Sequence, residues 1–203
     1  VERPMEVMQK TLQVIRKADP EFKVSLAGNF HKEVEADIYD YCIPIGASYP
    51  AEVLARRAQN NLPTTYYTCC TEAFPNTFTF SDPAEAAWMS YYSAKDHLDG
   101  YLRWAYNSWP KEPLLDSRFE AWAGGDTYLV YPGARSSIRF EKLIEGVQAH
   151  EKITILRKEF TDKKNKTGFK KLEKMLSTFN LRDFPEVPAA ETVNKANKIL
   201  NSL

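Results

Sequence analysis

A run of seven uncharged residues near the middle of the chain places the strongest constraint on its fold. The segment from Thr64 to Cys70 reads TTYYTCC and contains β-branched, aromatic and thiol side chains. Such a run is typical of a strand that is covered on both faces, as in a parallel sheet. The sequence on either side has the pattern of helices, which favours βα units.

Helical and strand patterns alternate as far as about residue 106. Predicted helices cover 4–18, 50–61 and 82–98, and predicted strands cover 22–27, 38–43, 64–70 and 100–105. The helix start at Asp82 is well marked, because Pro83 suits the first helical position and Glu85 completes a capping box. Four strands are too few to close an eight-stranded barrel.

The remainder of the chain is helical in pattern. Ser136 and Ser137 precede a long predicted helix, and two amphipathic helices are predicted over 167–179 and 189–203. A short extended segment is expected at 128–131. We therefore predict an α/β domain with parallel strands over residues 1–160 and a helical C-terminal extension over 161–203.

The composition excludes several classes of partner. Apolar residues make up 43% and charged residues 27%, as in ordinary globular proteins. The 27 basic residues equal the 27 acidic ones, so no global basic field indicates binding to nucleic acid or to an anionic membrane. No apolar run approaches the length of a membrane span. We expect neither a nucleic-acid partner nor a membrane span.

We also expect no metal and no cofactor. The three histidines are scattered without a Glu or His at ligand spacing. The sequence contains neither a phosphate-binding loop nor a dinucleotide-binding fingerprint. Cys42, Cys69 and Cys70 lack metal-ligand spacing and lie in strand-like runs, where buried thiols are expected.

The segment from Asp99 to Phe140 concentrates the residues that suggest a binding site. It places Trp and Tyr side chains between Gly, Pro, Asn, Asp and Arg at the end of a predicted strand. Flat rings beside hydrogen-bonding groups suit sugars, which have apolar C–H faces and hydroxyl rims. A partly buried aromatic corner without a ligand has the same composition, so both interpretations stay open.

The candidate sugar-binding residues begin where this strand ends, at the end where barrel enzymes have their sites. Trp104 and Tyr106 can stack on a pyranose ring, and the Asn107 amide can donate and accept hydrogen bonds. Trp109 is either a platform for an outer sugar or a residue that fastens the loop.

Further candidates come from two other segments. Asp126 follows two glycines and can accept hydrogen bonds from sugar hydroxyls, or it can form an Asx turn. Tyr131 begins the Tyr-Pro-Gly sequence that orders the last loop. Tyr66 and Tyr67 alternate along a strand, so only one of them can face a barrel interior, and Tyr66 is our candidate.

Three motifs in the aromatic segment resemble a known family. GYLRWAYNSW, GGDTYLVYPG and SSIRFEKLIEGVQ resemble, in this order, the C-terminal part of the glycoside hydrolase family 123 catalytic domain, which overlaps bacterial domain of unknown function 4091. The opening VERPMEVMQKTL resembles the start of the same region. The resemblance covers residues 1 to about 157. It implies the C-terminal portion of a (β/α)8 barrel of the TIM type whose front half is missing here.

The resemblance also implies a chemistry, which is retaining hydrolysis of β-linked N-acetylhexosaminides such as N-acetylgalactosaminides. The sugar's own acetamido oxygen attacks the anomeric carbon, so the enzyme supplies no nucleophile. Glu2 falls on the general-acid position, and Arg3 is a candidate for holding a carboxylate or a sugar hydroxyl. Val1 falls where the family has Asp. It either replaces that catalytic residue or marks a fragment boundary.

Three functions therefore stay open. The first is a glycosidase that is active in the full-length protein and inactive as this isolated fragment. The second is a non-catalytic carbohydrate-binding protein on the same scaffold. The third is a fragment that serves assembly only, with Trp104 and Trp109 packed against helices.

The expected partners are a carbohydrate and either the missing N-terminal part of the barrel or another chain that covers the sheet edge. Analogy with the family implies a bacterial polysaccharide degrader that is periplasmic or secreted, although this chain shows no signal peptide.

Overall fold

The computed structural model describes residues 4–183 and 186–203, and within them the chain forms four strands and six α-helices. The helices are α1 (Pro4–Ala18), α2 (Ala51–Gln59), α3 (Ala84–Lys95), α4 (Ile138–Asp162), α5 (Lys166–Leu176) and α6 (Ala189–Leu200). The strands are β1 (Ser25–Ala27), β2 (Asp40–Pro44), β3 (Thr64–Thr68) and β4 (Gly100–Arg103). The alternation of helices and strands confirms the predicted α/β class. No helix in the described ranges combines the length and apolar character needed to cross a membrane.

The chain divides into two compact units, Val1–Tyr67 and Thr68–Leu203. In the first unit β1 pairs in parallel with β2, and β2 pairs in parallel with β3. The core of this unit contains Tyr41, Ile43 and Tyr66, which are all buried. The parallel pairing agrees with the expectation from the uncharged run in β3.

A buried guanidinium group holds the edge of this first core together. Arg57 of α2 is fully buried. It donates to the carboxylate of Glu35 at 3.0 Å and to the carbonyl oxygens of Ile38, Tyr39 and Pro63 at 3.0, 2.7 and 2.8 Å. One side chain thus joins α2 to the segments that lead into β2 and β3.

The second unit is built around α3, which is buried from Ala84 to Ala94. Its sequence AEAAWMSYYSA is almost all small or aromatic, as expected for a helix that is surrounded on every side. The Tyr91 ring stacks on Phe179 with ring centroids 4.5 Å apart, and the Tyr91 hydroxyl donates to Asn197 of α6 at 2.5 Å. The predicted helical extension therefore packs on α3 within this unit.

The predicted start of α3 is confirmed as a capping box. The Asp82 carboxylate accepts a hydrogen bond from the backbone N–H of Ala84 at 2.9 Å, and Glu85 accepts one from the N–H of Asp82 at 3.1 Å. The other carboxylate oxygen of Glu85 accepts from the N–H of Asn76 at 2.8 Å. Glu85 is buried, and burial raises its pKa from 4.5 to about 7 even though these backbone hydrogen bonds act to lower it.

We expect this buried carboxyl to make the stability depend on pH. Between about pH 4.5 and pH 7 the folded chain binds more protons at Glu85 than the unfolded chain does. The free energy of unfolding should therefore fall as the pH rises through this range, by up to about 3 kcal/mol. Urea unfolding of Glu85→Gln should lose this slope, whereas the exposed Glu120→Gln should keep it. Identical slopes in all three proteins would contradict the prediction.

Strand β3 ends two residues earlier than predicted, which corrects the placement of two cysteines. The side-chain amide of Asn76 donates to the carbonyl oxygens of Cys69 and Glu72, at 2.7 and 2.6 Å. The chain therefore turns after Thr68 instead of continuing the strand. Cys69 is half-buried and Cys70 is exposed, so only Cys42 is the buried thiol that was expected for all three.

Candidate functional site

The residues that follow β4 pair with a later part of the loop through one antiparallel bridge, Asn107 with Tyr128. We call this bridge and the hydrogen bonds on either side of it the ladder. We call residues 104–109 the aromatic segment and residues 126–131 the return segment. The N–H of Ser108 donates to the carbonyl oxygen of Thr127 at 3.0 Å, and the N–H of Leu129 donates to that of Tyr106 at 2.8 Å. The Thr127 hydroxyl also donates to the carbonyl oxygen of Ser108 at 2.6 Å. The predicted extended segment at 128–131 thus forms isolated bridges rather than a strand.

The aromatic segment presents its rings to solvent. Trp104 is 53% exposed, Tyr106 is 50% exposed and Trp109 is 37% exposed. Asn107 is exposed between them and forms a bridge with Tyr128 of the return segment. These exposures do not fit the assembly-only hypothesis, in which Trp104 and Trp109 would be packed against helices. Four of the predicted sugar-binding residues are therefore exposed within this one six-residue segment.

Two of these rings are fastened on one side and open on the other. The Tyr106 ring meets the Phe140 ring of α4 edge to face, with centroids 5.7 Å apart. The indole N–H of Trp109 donates to the carbonyl oxygen of Val130 at 2.7 Å. Trp109 therefore fastens the loop, as one of its two predicted roles required, while part of its ring stays accessible.

Asp126 does not face solvent, which corrects its predicted role as an acceptor of sugar hydroxyls. Its side chain is fully buried, and its carboxylate accepts a hydrogen bond from Arg103 at 2.8 Å. Arg103 is the last residue of β4, and its side chain is only 4% exposed. Because this side chain is fully buried, its carboxylate does not meet a sugar at the surface.

A second buried arginine supports the two glycines that precede Asp126. Arg139 of α4 donates to the carbonyl oxygens of Thr77 and, at 2.9 Å, of Gly125. Gly125 has a φ of +76°, and a Cβ atom there would lie 2.6 Å from the guanidinium of Arg139. The glycine is required because the backbone turns tightly against the arginine. Sequence reasoning missed Arg103 and Arg139, although each lies within a motif that it singled out.

Two tyrosines of the return segment pack against each other. The rings of Tyr128 and Tyr131 meet edge to face with centroids 5.3 Å apart. Burial raises the pKa of Tyr128 to about 12, and the neighbouring Tyr131 contributes to the shift. Tyr131 is half-buried, and its N–H donates to the carbonyl oxygen of Arg135 at 2.8 Å. The Tyr128 hydroxyl is therefore suited to hydrogen bonding rather than to proton transfer.

The remaining candidates lie elsewhere in the chain. Glu2 and Arg3 fall outside the described residues. Tyr66 lies in the first unit and is 1% exposed, whereas its neighbour Tyr67 is half-buried. The choice of Tyr66 as a ring that contacts sugar is thereby corrected, because its side of β3 faces the core of that unit.

A cavity of about 140 Å³ in the second unit lies between α3, α4 and β4. It is lined by Ser90, Gly100, Tyr101 and His150 among others, and it therefore adjoins the amino end of β4. Barrel enzymes place their chemistry at the carboxyl ends of the strands, where the aromatic segment begins. This cavity is for that reason not our candidate site.

Comparisons with known proteins bear on the family and the fold of the chain. The sequence model of the glycoside hydrolase 123 catalytic domain matches residues 1–156. No curated protein sequence matches the chain. The solved structure of a family 123 glycoside hydrolase from Clostridium perfringens, determined in a study of glycolipid glycan hydrolysis, superimposes with a TM-score of 0.75 at 24% identity.

This superposition covers 98% of the present chain and 39% of the clostridial one, so the chain spans well under half the length of that relative. At this level of identity the likeness shows the fold, and it confirms the predicted portion of a (β/α)8 barrel. The family model covers most of the chain, including the aromatic and return segments. The protein therefore belongs to the glycoside hydrolase family 123 catalytic-domain family.

Proposed function

We propose that this chain supplies the carboxyl-terminal part of the sugar-binding site of an enzyme that cleaves β-linked N-acetylhexosaminides. The observation that carries the proposal is the row of partly exposed rings at Trp104, Tyr106 and Trp109, with Asn107 between them, directly after β4. Pyranose C–H faces stack on such rings, and an amide can bind the hydroxyl or acetamido groups at the edge of the sugar.

The proposed reaction uses the substrate's own acetamido group. Its oxygen attacks the anomeric carbon and displaces the leaving oxygen, which Glu2 protonates as general acid. Water then attacks the anomeric carbon of the cyclic intermediate from the face that the leaving oxygen occupied, and it gives its proton to the carboxylate of Glu2. The anomeric configuration is therefore retained. These roles come from the family resemblance of the first residues, and Arg3 is proposed to orient a carboxylate or a sugar hydroxyl beside Glu2.

The described residues bind and orient substrate in this proposal rather than transfer protons. Trp104 is the most exposed of the three rings and is proposed to form the floor of the subsite. Asn107 is proposed to bind the polar edge of the sugar. We further propose that additional βα units complete the barrel and the pocket, and that the enzyme acts in the periplasm or outside the cell.

Replacement of Trp104 by Ala tests the proposal directly. We expect the affinity for N-acetylgalactosamine, measured by isothermal titration calorimetry, to fall about five- to thirtyfold, because stacking on an exposed indole contributes on the order of 1–2 kcal/mol. Turnover of 4-nitrophenyl β-N-acetylgalactosaminide by the complete gene product should fall in parallel. Stability should fall by about 1–3 kcal/mol, because about half of the ring is buried and its apolar contacts are lost.

The matched control is Phe169→Ala, which removes an exposed ring from α5. It should leave sugar affinity and turnover unchanged. Unaltered sugar affinity in Trp104→Ala would contradict the proposed site.

The second candidate function is sugar binding without hydrolysis. The observation that favours it is Val1, which stands where the family has the aspartate that orients the acetamido group. A valine cannot accept the hydrogen bond of the acetamido N–H, and such a loss costs on the order of 100- to 1000-fold in rate. Saturable binding of N-acetylgalactosamine by the complete gene product, without release of 4-nitrophenol, would identify this function.

A further inference from the structure

We propose that Arg103 and Asp126 are positioning residues, which hold the aromatic segment in the geometry that binds sugar. The inference deepens the proposed function and rests on it. It also replaces the direct sugar contact that the sequence suggested for Asp126.

Arg103 joins three pieces of the second unit at one point. Its guanidinium donates to the carboxylate of Asp126 at 2.8 Å and to the backbone carbonyl oxygen of the same residue at 2.6 Å. It also reaches the carbonyl oxygen of Thr68, at the end of β3, at 3.3 Å. The end of β3, the end of β4 and the start of the return segment are thereby fixed to one another.

The pair is buried, which makes its geometry stiff. The side chains are 4% and 0% exposed, and the low dielectric of such surroundings strengthens charged hydrogen bonds. The same loop contains a second Arg–Asp pair, Arg118 and Asp116, with the same 2.8 Å distance but side chains that are 71% and 50% exposed. Water competes for the exposed pair, so of these two ion pairs the buried one restrains the loop more strongly.

The position of Asp126 determines the position of the aromatic segment, because its neighbour Thr127 is hydrogen-bonded to Ser108. Trp104 follows Arg103 in the chain, and Thr127 follows Asp126. Both polar groups of Thr127 hold Ser108, through the carbonyl oxygen at 3.0 Å and the hydroxyl at 2.6 Å. A shift of Asp126 relative to Arg103 must therefore shift the ladder relative to β4. A displacement of about 1 Å is enough to weaken an oriented binding site substantially.

The test compares Asp126→Asn with Asp116→Asn. Both variants remove one negative charge from an Arg–Asp pair in the same loop without changing side-chain shape. Hydrogen exchange reports on the ladder without any sugar. We expect the amides of Ser108 and Leu129 to exchange at least tenfold faster in Asp126→Asn, while the amide of Leu172 in α5 keeps its rate. Asp116→Asn should leave all three rates within twofold of wild type.

Sugar binding gives the second readout. Asp126→Asn should raise the dissociation constant for N-acetylgalactosamine at least tenfold, and Asp116→Asn should change it less than twofold. Wild-type exchange rates at Ser108 and Leu129 in a folded Asp126→Asn variant would overturn the inference. A wild-type chain that binds no sugar would instead count against the proposed function, and the exchange experiment would still decide whether the pair holds the ladder.

A variant without buried charge covers the case in which Asp126→Asn fails to fold. The double substitution Arg103→Met with Asp126→Leu replaces the pair by apolar side chains, and such replacements commonly preserve the fold. We expect this variant to keep its helical circular dichroism and to show the same fast exchange at Ser108 and Leu129. Slow exchange at these two amides in the apolar variant would show that the ladder needs no ion pair, and the inference would be wrong.

Discussion

Replacement of Arg57 by Met is expected to lower the free energy of unfolding by about 3–5 kcal/mol. The substitution keeps an apolar side chain of similar length but removes the donors that serve the carbonyl oxygens of Ile38, Tyr39 and Pro63. It also removes the buried charge partner of Glu35, which is itself buried. The cost is large because these acceptors stay buried without their hydrogen bonds. Urea unfolding followed by circular dichroism measures it.

The neighbouring Arg56 is the matched control for this prediction. It lies on the same helix and pairs with the same carboxylate of Glu35, but its side chain is 51% exposed. Arg56→Met should therefore cost only about 1 kcal/mol. Equal losses in the free energy of unfolding from the two substitutions would contradict the prediction that the buried hydrogen bonds of Arg57 set the larger cost.

Replacement of Gly146 by Val is expected to lower the free energy of unfolding by about 3 kcal/mol or more. Gly146 lies in α4, where that helix meets α3. A Cβ atom at this position would lie 2.8 Å from Cα and 2.9 Å from the carbonyl oxygen of Ala87, and 2.7 Å from Oγ of Ser90. Because two of these atoms belong to the backbone of α3, the helices must separate to admit a side chain. Thermal and urea unfolding measure the loss.

The exposed Gln148 provides the control within the same helix. Gln148→Val introduces the same β-branched residue and its lower helix propensity, but no contact with α3. Its effect should stay within about 0.5 kcal/mol. If both valines destabilise equally, contact with α3 does not set the cost at Gly146.

Local patterns were enough to predict the elements of this fold. The helix at Pro4–Ala18 has the predicted bounds, and the capping box at Asp82 begins α3 as expected. The bounds of the strands were less accurate, because strand ends depend on partners that are distant in sequence. Strand β3 shows this. The Asn76 side-chain amide donates a hydrogen bond to the carbonyl oxygen of Cys69, and the strand ends at Thr68.

The candidate site could be predicted only in part, for a similar reason. Trp104, Tyr106 and Asn107 were recognised because flat rings and amides after a strand have a known chemistry. The same type of reasoning assigned Asp126 and Tyr66 to the sugar, yet both are buried. The sequence shows which chemical groups are available. It does not show whether a carboxylate is buried in an ion pair with an arginine or exposed where it could bind a sugar hydroxyl.

The sequence alone determined the α/β class and the segment that carries the exposed rings, since both follow from residue type and spacing along the chain. Its motifs also carried the resemblance to the family. Only the tertiary structure decided that Arg103 and Arg139 enter the interior and that Asp126 joins them there. The physical reason is that burial of a charged side chain is costly unless hydrogen-bond or charge partners surround it in the folded protein. The partners of Arg103 lie at Thr68 and Asp126, and those of Arg139 lie at Thr77 and Gly125. These positions are distant in sequence, and only folding brings them together.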